Sequence, residues 1–128
     1  MNPYCLRFQT RKSTRTKTIK KEIVEAVKKR ANGYCEVCGG IAKESMALHH
    51  RKLKSRGGKD EVANLLYLHH ECHNMSSRGV HSQVAYATSK GWIVNSWADP
   101  LETPVVLPGG NVVMLLNNGE AVTVMEGD

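Results

Sequence analysis

The sequence predicts a small α+β fold: a β–loop–β–α core held by a metal staple, with a basic helix before it and a β-hairpin after it. The first observation behind this is crowding, since all six histidines lie between residues 49 and 81 and three of the four cysteines between 35 and 72. The second is a pair of short strand-like segments, Met46–His50 and Asn64–Leu68, separated by a loop holding Gly57–Gly58 and followed by a helical stretch from His70 to about Ser77. The third is charge. Residues 1–30 hold ten Lys/Arg against two Glu, residues 31–81 seven against five acids, and residues 82–128 one Lys against five acids, for a net +6. A basic front and an acidic tail point to a polyanionic partner for the front half.

At 128 residues, with 41% hydrophobic and 5% aromatic residues, the chain fits one domain with extensions and a thin core. A thin core of this kind calls for a staple such as a metal site. No apolar run approaches the ~18 residues of a membrane span, and the polar, basic N-terminus has no secretory h-region. We therefore expect no membrane partner. The expected divisions are a flexible basic arm at 1–18, a domain at 19–91 with its core at 35–81, and a C-terminal β extension at 92–128.

Within the arm, R-K-S-T-R-T-K-T carries no apolar periodicity and is expected to be extended until bound. Thr18 is placed to cap a helix whose apolar face is Ile19, Ile23, Val24, Val27 and Ala31, with Lys and Arg opposite. Asn32–Gly33 ends it. Gln83 to Lys90 forms a short further helix closed by Gly91. Beyond the breakers Asp99–Pro100 and Thr103–Pro104, the segments Asn111–Leu116 and Ala121–Met125 flank Asn117–Asn118–Gly119–Glu120, a hairpin signal.

Cys35-x-x-Cys38 and, with thirty residues between, His69-x-x-Cys72 are two half-sites that together supply four N/S ligands. Cys3His is a common closed tetrahedral zinc site, and thiolate and imidazole suit zinc over magnesium. His70 replaces His69 if the local register differs by one. Paired cysteines beside histidines favour metal binding in a reducing, cytoplasmic compartment over disulfides, and Cys5 stands alone in the arm. Adjacent His49 and His50 at a strand end face opposite sides, so neither duplicates the other.

C-x-x-C, then H-H-R, G-G, N-L and C-H, together over Cys35–His81, resemble the HNH endonuclease family and its ββα-metal fold. The segment G-W-I-V-N-S-W-A-D-P resembles tails of bacteriophage members. The resemblance implies that His50 is the general base, that His49 and His73 hold a catalytic divalent cation (Mg²⁺, Mn²⁺, Ni²⁺ or Zn²⁺), and that Asn64 clamps the loop by backbone hydrogen bonds. Shorter members place a further histidine four residues after the position of His73. Here that position is Ser77, so either His81 folds back as a third ligand or it serves near a phosphate. Arg51, Lys52, Lys54, Arg56 and Lys59 are expected around this site, and Arg51 and Arg78 are the expected phosphate contacts, Arg51 counting with the catalytic group.

The function expected is hydrolysis of DNA by a metal-dependent endonuclease, of low sequence specificity because no base-reading helix is visible, leaving 5′-phosphate ends as the family implies. The competing class is a non-catalytic zinc-stabilised module that binds nucleic acid, which would need neither His49, His50 nor Asn64. A toxin nuclease ending a larger translocating chain is a third class, disfavoured by a chain that starts at its own Met1. A packaging role beside a phage terminase in the host cytoplasm, or self-association, is a family-level extension of the resemblance.

Overall fold

A computed structural model describes residues 19–75 and 83–124. The basic arm with Thr18 and Cys5, the end of the helix expected after His70, Arg78 and His81 lie outside the described residues. The element order is α1 (Lys21–Ala31), β1 (Ala47–His50), β2 (Leu65–Leu68), a π-helical turn Glu71–Met75, α2 (Val84–Ser89), β3 (Val105–Leu107), β4 (Asn111–Leu115) and β5 (Ala121–Thr123).

Helix α1 forms where its apolar periodicity lies. Val27 is fully buried against Val62 and Leu65, with Ile19, Ile23 and Ala26 packed around them. The helix is preceded by Lys20, whose side chain makes no cap. Asn32 ends it in the left-handed conformation (φ 55°), its N–H donating to the Lys28 carbonyl, as an asparagine C-cap can. Arg30 departs from the expected solvent-facing basic face. Its side chain is only 3% exposed and binds Glu36 through Nε at 2.7 Å and through a second guanidinium nitrogen at 2.8 Å. It also donates to the Val62 and Leu65 carbonyls, and Glu36 in turn accepts from the Tyr67 amide. A charge so buried is retained only with partners of this kind. The pair fastens α1 to both the cysteine turn and β2.

β1 and β2 pair antiparallel, with Ala47 opposite Leu68 and His50 opposite Leu65. Along β1, Ala47 and His49 are buried while Leu48 and His50 are half-buried, so the tandem histidines do face opposite sides. The C-terminal segment forms the expected hairpin, β4 with β5, and adds β3 on the other side of β4. This three-stranded sheet is built into the main core: Val105, Val113 and Leu115 pack with Cys35, Ala63, Leu66, Leu68 and Cys72. Each fully buried leucine there contributes about 1.5–3 kcal/mol relative to exposure. Gly91 sits at φ 78° where a Cβ would lie 2.0 Å from the Pro104 carbonyl oxygen, so only glycine lets the two segments approach. Among the described residues, no helix is long and apolar enough to cross a membrane.

Candidate metal centre and active site

Cysteine geometry is set by the turn between α1 and β1. The Cys35 N–H donates to the Gly40 carbonyl and the Gly39 N–H to the Cys35 carbonyl, a tight loop that turns amides toward sulfur. Val37 and Cys38 amides lie 3.4 Å from the Cys35 Sγ, and the Gly40 amide 3.3 Å from the Cys38 Sγ. The ligand atoms of Cys35, Cys38, His69 and Cys72 all fall within 4.8 Å of one another. Zinc bonds of about 2.0–2.3 Å place tetrahedral ligands roughly 3.5–3.8 Å apart, so the four atoms fit that ion.

The register of the histidine ligand is also fixed. The Nε2 of His69 is 2.8 Å from the Ile41 carbonyl oxygen, to which it must donate. That leaves Nδ1 to face metal, and it lies 3.3 Å from the Cys38 Sγ and 4.0 Å from the Cys72 Sγ. A backbone carbonyl that accepts from the far nitrogen commonly orients a zinc-bound histidine in this manner. His70 instead meets the Ser45 hydroxyl at 3.0 Å on the exposed side, which excludes the alternative register. Electrostatics show why the site wants a cation. Burial raises the Cys35 thiol, but amides of Cys38, His69 and Val37 outweigh it and hold the thiol below its ordinary value. Burial, reinforced by neighbouring Cys35 and Cys38, pushes the Cys72 thiol up to about 12. Three thiols this close cannot all ionise without positive charge between them.

The second group lies on the other side of Cys72. His49 is fully buried at the end of β1, with Nε2 donating to the Trp92 carbonyl at 2.7 Å, so in the neutral ring Nδ1 carries the lone pair. The His73 ring stands edge-on to it with centroids 5.1 Å apart. The expected cation ligands His49 and His73 are thus neighbours, while His81 lies outside the described residues. His50 faces the opposite way. Its side chain is 18% exposed, and its Nε2 lies 2.7 Å from the Asp60 Oδ1. This hydrogen bond, with Lys54 Nζ 3.7 Å away on the same oxygen, holds the Asp60 carboxyl below its usual range.

Asn64 is bonded to the loop backbone on both sides. It is fully buried, its Oδ1 accepts from the Lys52 amide at 2.8 Å, and its Nδ2 donates to the Lys52 and Lys59 carbonyls at 3.1 and 3.0 Å. The Asn64 carbonyl also accepts from the Arg51 amide. One side chain therefore closes both ends of the loop that carries Asp60. Gly58 lies inside that loop, where a Cβ would be 1.7 Å from the Lys52 carbonyl oxygen.

Arg51 is the correction. Expected at a phosphate beside His50, it is fully buried and points away from solvent. Its guanidinium donates to the carbonyls of Gly91, Ala63 and Thr103 at 2.8 Å each and of Pro100 at 3.2 Å. Burial, and after it the charge of Arg30, lowers its pKa to about 10, so it remains a cation near neutrality. It bolts the C-terminal segment to the core and cannot reach a phosphate. Lys52 is partly withdrawn as well, its Nζ donating to the Ala98 carbonyl at 2.9 Å. Lys54, Arg56 and Lys59 remain exposed on the loop. Asp60 carries little signal in the sequence, being one of two adjacent acids, with Glu61, between Gly57–Gly58 and Asn64.

Residues 35–79 match the HNH endonuclease family. The match spans the cysteine turn, both strands of the histidine hairpin and the helical turn that carries Cys72 and His73. It supports nuclease activity in general, with DNA as the substrate the family implies and divalent metals as its usual cofactors. No curated protein and no solved structure matches the chain. The HNH segment ends before α2 and β3–β5, so the sheet that Arg51 bolts down is additional to the matched region.

Proposed function

We propose that the chain is a metal-dependent DNA endonuclease that hydrolyses phosphodiester bonds with low sequence specificity, His50 being the general base. The observation that carries the reading is the separation of the tandem histidines: His49 turned inward beside His73, and His50 turned the opposite way at the end of β1, against the Asp60 that follows the loop clamped by Asn64. A binding module would need no such division. A neutral imidazole suits removal of a proton from water near pH 7. His49 and His73, with His81 as the further candidate, would hold one divalent cation, which when bound supplies charge neutralisation at phosphorus and at the leaving oxygen.

The chain's own residues do the rest. Exposed Lys54, Arg56 and Lys59, with Arg78 beyond them in sequence, would track the phosphate backbone and give mostly salt-dependent affinity. Cys35, Cys38, His69 and Cys72 would hold a structural zinc ion, which requires a reducing compartment such as the cytoplasm. The test is plasmid nicking. Cleavage should require added Mg²⁺, Mn²⁺ or Ni²⁺, stop with a chelator, and fall by about 10²–10⁴-fold in His50→Ala, the usual contribution of a general base. Undiminished cleavage by that variant would overturn the assignment.

A further inference from the structure

We propose that Asp60 is the positioning residue of the reaction, holding His50 in the tautomer that carries hydrogen on Nε2 so that Nδ1 is the nitrogen that takes the proton. This rests on the nuclease reading and deepens it by naming the working atom of the base and the group that selects it.

An ionised carboxylate only accepts, so a 2.7 Å contact between Asp60 Oδ1 and His50 Nε2 requires hydrogen on Nε2. The neutral ring then has its lone pair on Nδ1. Asp60 is itself pre-placed by three features of the loop. The Asn64 amide grips the Lys59 carbonyl immediately before it. Close approach of Gly58 to the Lys52 backbone shuts the loop behind it. Lys54 Nζ, 3.7 Å from the same carboxylate oxygen, favours the ionised form. Asp60 is a quarter exposed and His50 less, so the pair is not sealed from solvent.

In the step this geometry serves, the water oxygen forms a bond to phosphorus while one of its protons passes to His50 Nδ1. The bond from phosphorus to O3′ breaks, its electron pair leaves with O3′, and that oxygen takes up a proton from solvent. The ring becomes an imidazolium with hydrogen on both nitrogens, and the Asp60 carboxylate already faces the Nε2 side to stabilise it. Asp60 touches neither substrate nor reacting atoms. It acts through His50.

The test combines a spectroscopic and a kinetic readout on the full zinc-loaded chain. Histidine ¹⁵N shifts, with the His50 signals identified by their loss in His50→Ala, should show the wild-type ring as the Nε2–H form and Asp60→Asn as a mixture. In plasmid or oligonucleotide cleavage, Asp60→Asn and Asp60→Ala should lower kcat about 10–100-fold, the size of loss known for partners that orient metal-bound histidines. KM and the dissociation constant for Mn²⁺ should stay within about twofold, since positioning alters neither. Asp60→Glu should restore part of kcat. A wild-type ring with hydrogen on Nδ1, or an unchanged kcat in Asp60→Ala, overturns the proposal. So does a loss that appears as weakened Mn²⁺ binding, which would make Asp60 a metal ligand. If the wild-type chain cleaves nothing with any ion, the nuclease reading fails, and the ¹⁵N measurement still decides the Asp60–His50 pairing on its own.

Discussion

Cys72 and His73 are neighbours in sequence yet belong to regions of opposite design. On one side, Cys35, Cys38, His69 and Cys72 point four N/S atoms inward within 4.8 Å, ringed by amides and with His69 fixed by the Ile41 carbonyl. Nothing there is left for a substrate. On the other side, His49 and His73 meet ring to ring while His50 turns away toward solvent and Asp60. A metal held by the first arrangement would take up all four of its ligands. The second, in the function proposed above, would leave positions for water and phosphate. The difference teaches that ligand crowding alone does not define a site. What separates a staple from an active centre is whether the partners around each ligand close it or aim it.

The comparison can be broken first on its closed side. Cys35→Ser or Cys72→Ser should remove the zinc and with it on the order of 10 kcal/mol of folding free energy. Circular dichroism and metal analysis should then show a chain without a cooperative transition, and a folded, zinc-free Cys72→Ser protein would contradict the structural role. Next in size is the bolt between the matched region and the C-terminal sheet. Arg51→Ala strips four backbone carbonyls of their donor. Buried unsatisfied groups cost about 1–3 kcal/mol each and part of this relaxes, so denaturant unfolding should show a loss of about 3–5 kcal/mol. Were Arg51 a phosphate contact instead, stability would be unchanged and DNA affinity would fall.

Asn64→Ala should cost about 2–4 kcal/mol through its three lost hydrogen bonds. It should lower cleavage with the zinc retained, as measured by unfolding and metal content together. The smallest effect concerns protons. With its thiol pushed up to about 12, Cys72 is protonated in the metal-free site at neutral pH. Zinc binds the thiolate, so uptake releases a proton and zinc affinity should rise as pH increases from 6 to 8. Calorimetry in buffers of different ionisation enthalpy reads that release directly, and an uptake with no proton release would contradict it.

How much of this was legible in the sequence follows from how local each signal is. The C-x-x-C turn, the H-x-x-C half-site and the two strands depend on spacings within a few residues, and each lies where the spacing places it, whereas the clamping role of Asn64 came only from the family resemblance. The tandem histidines were assignable to opposite faces because strand alternation is a local rule. Arg51 was not legible. Adjacency to His50 suggests a shared site, but its environment is made by carbonyls at Gly91, Pro100 and Thr103, between 40 and 52 residues away. Arg30 likewise reads as one cation on a basic helix face until Glu36 folds under it. Asp60 shows no pattern of its own, and only the closure of the loop brings it to His50. The C-terminal hairpin was visible from Asn118–Gly119, whereas its burial against Cys35 and Leu68 was not.

The most direct test of the division between the two sites is made at its boundary, with His73→Ala, measuring zinc stoichiometry, unfolding and plasmid cleavage on one preparation. The account predicts one tightly held zinc and a cooperative transition as in wild type, with cleavage and the binding of a second divalent ion lost. Loss of the tightly held zinc, or cleavage at the wild-type rate, would contradict it.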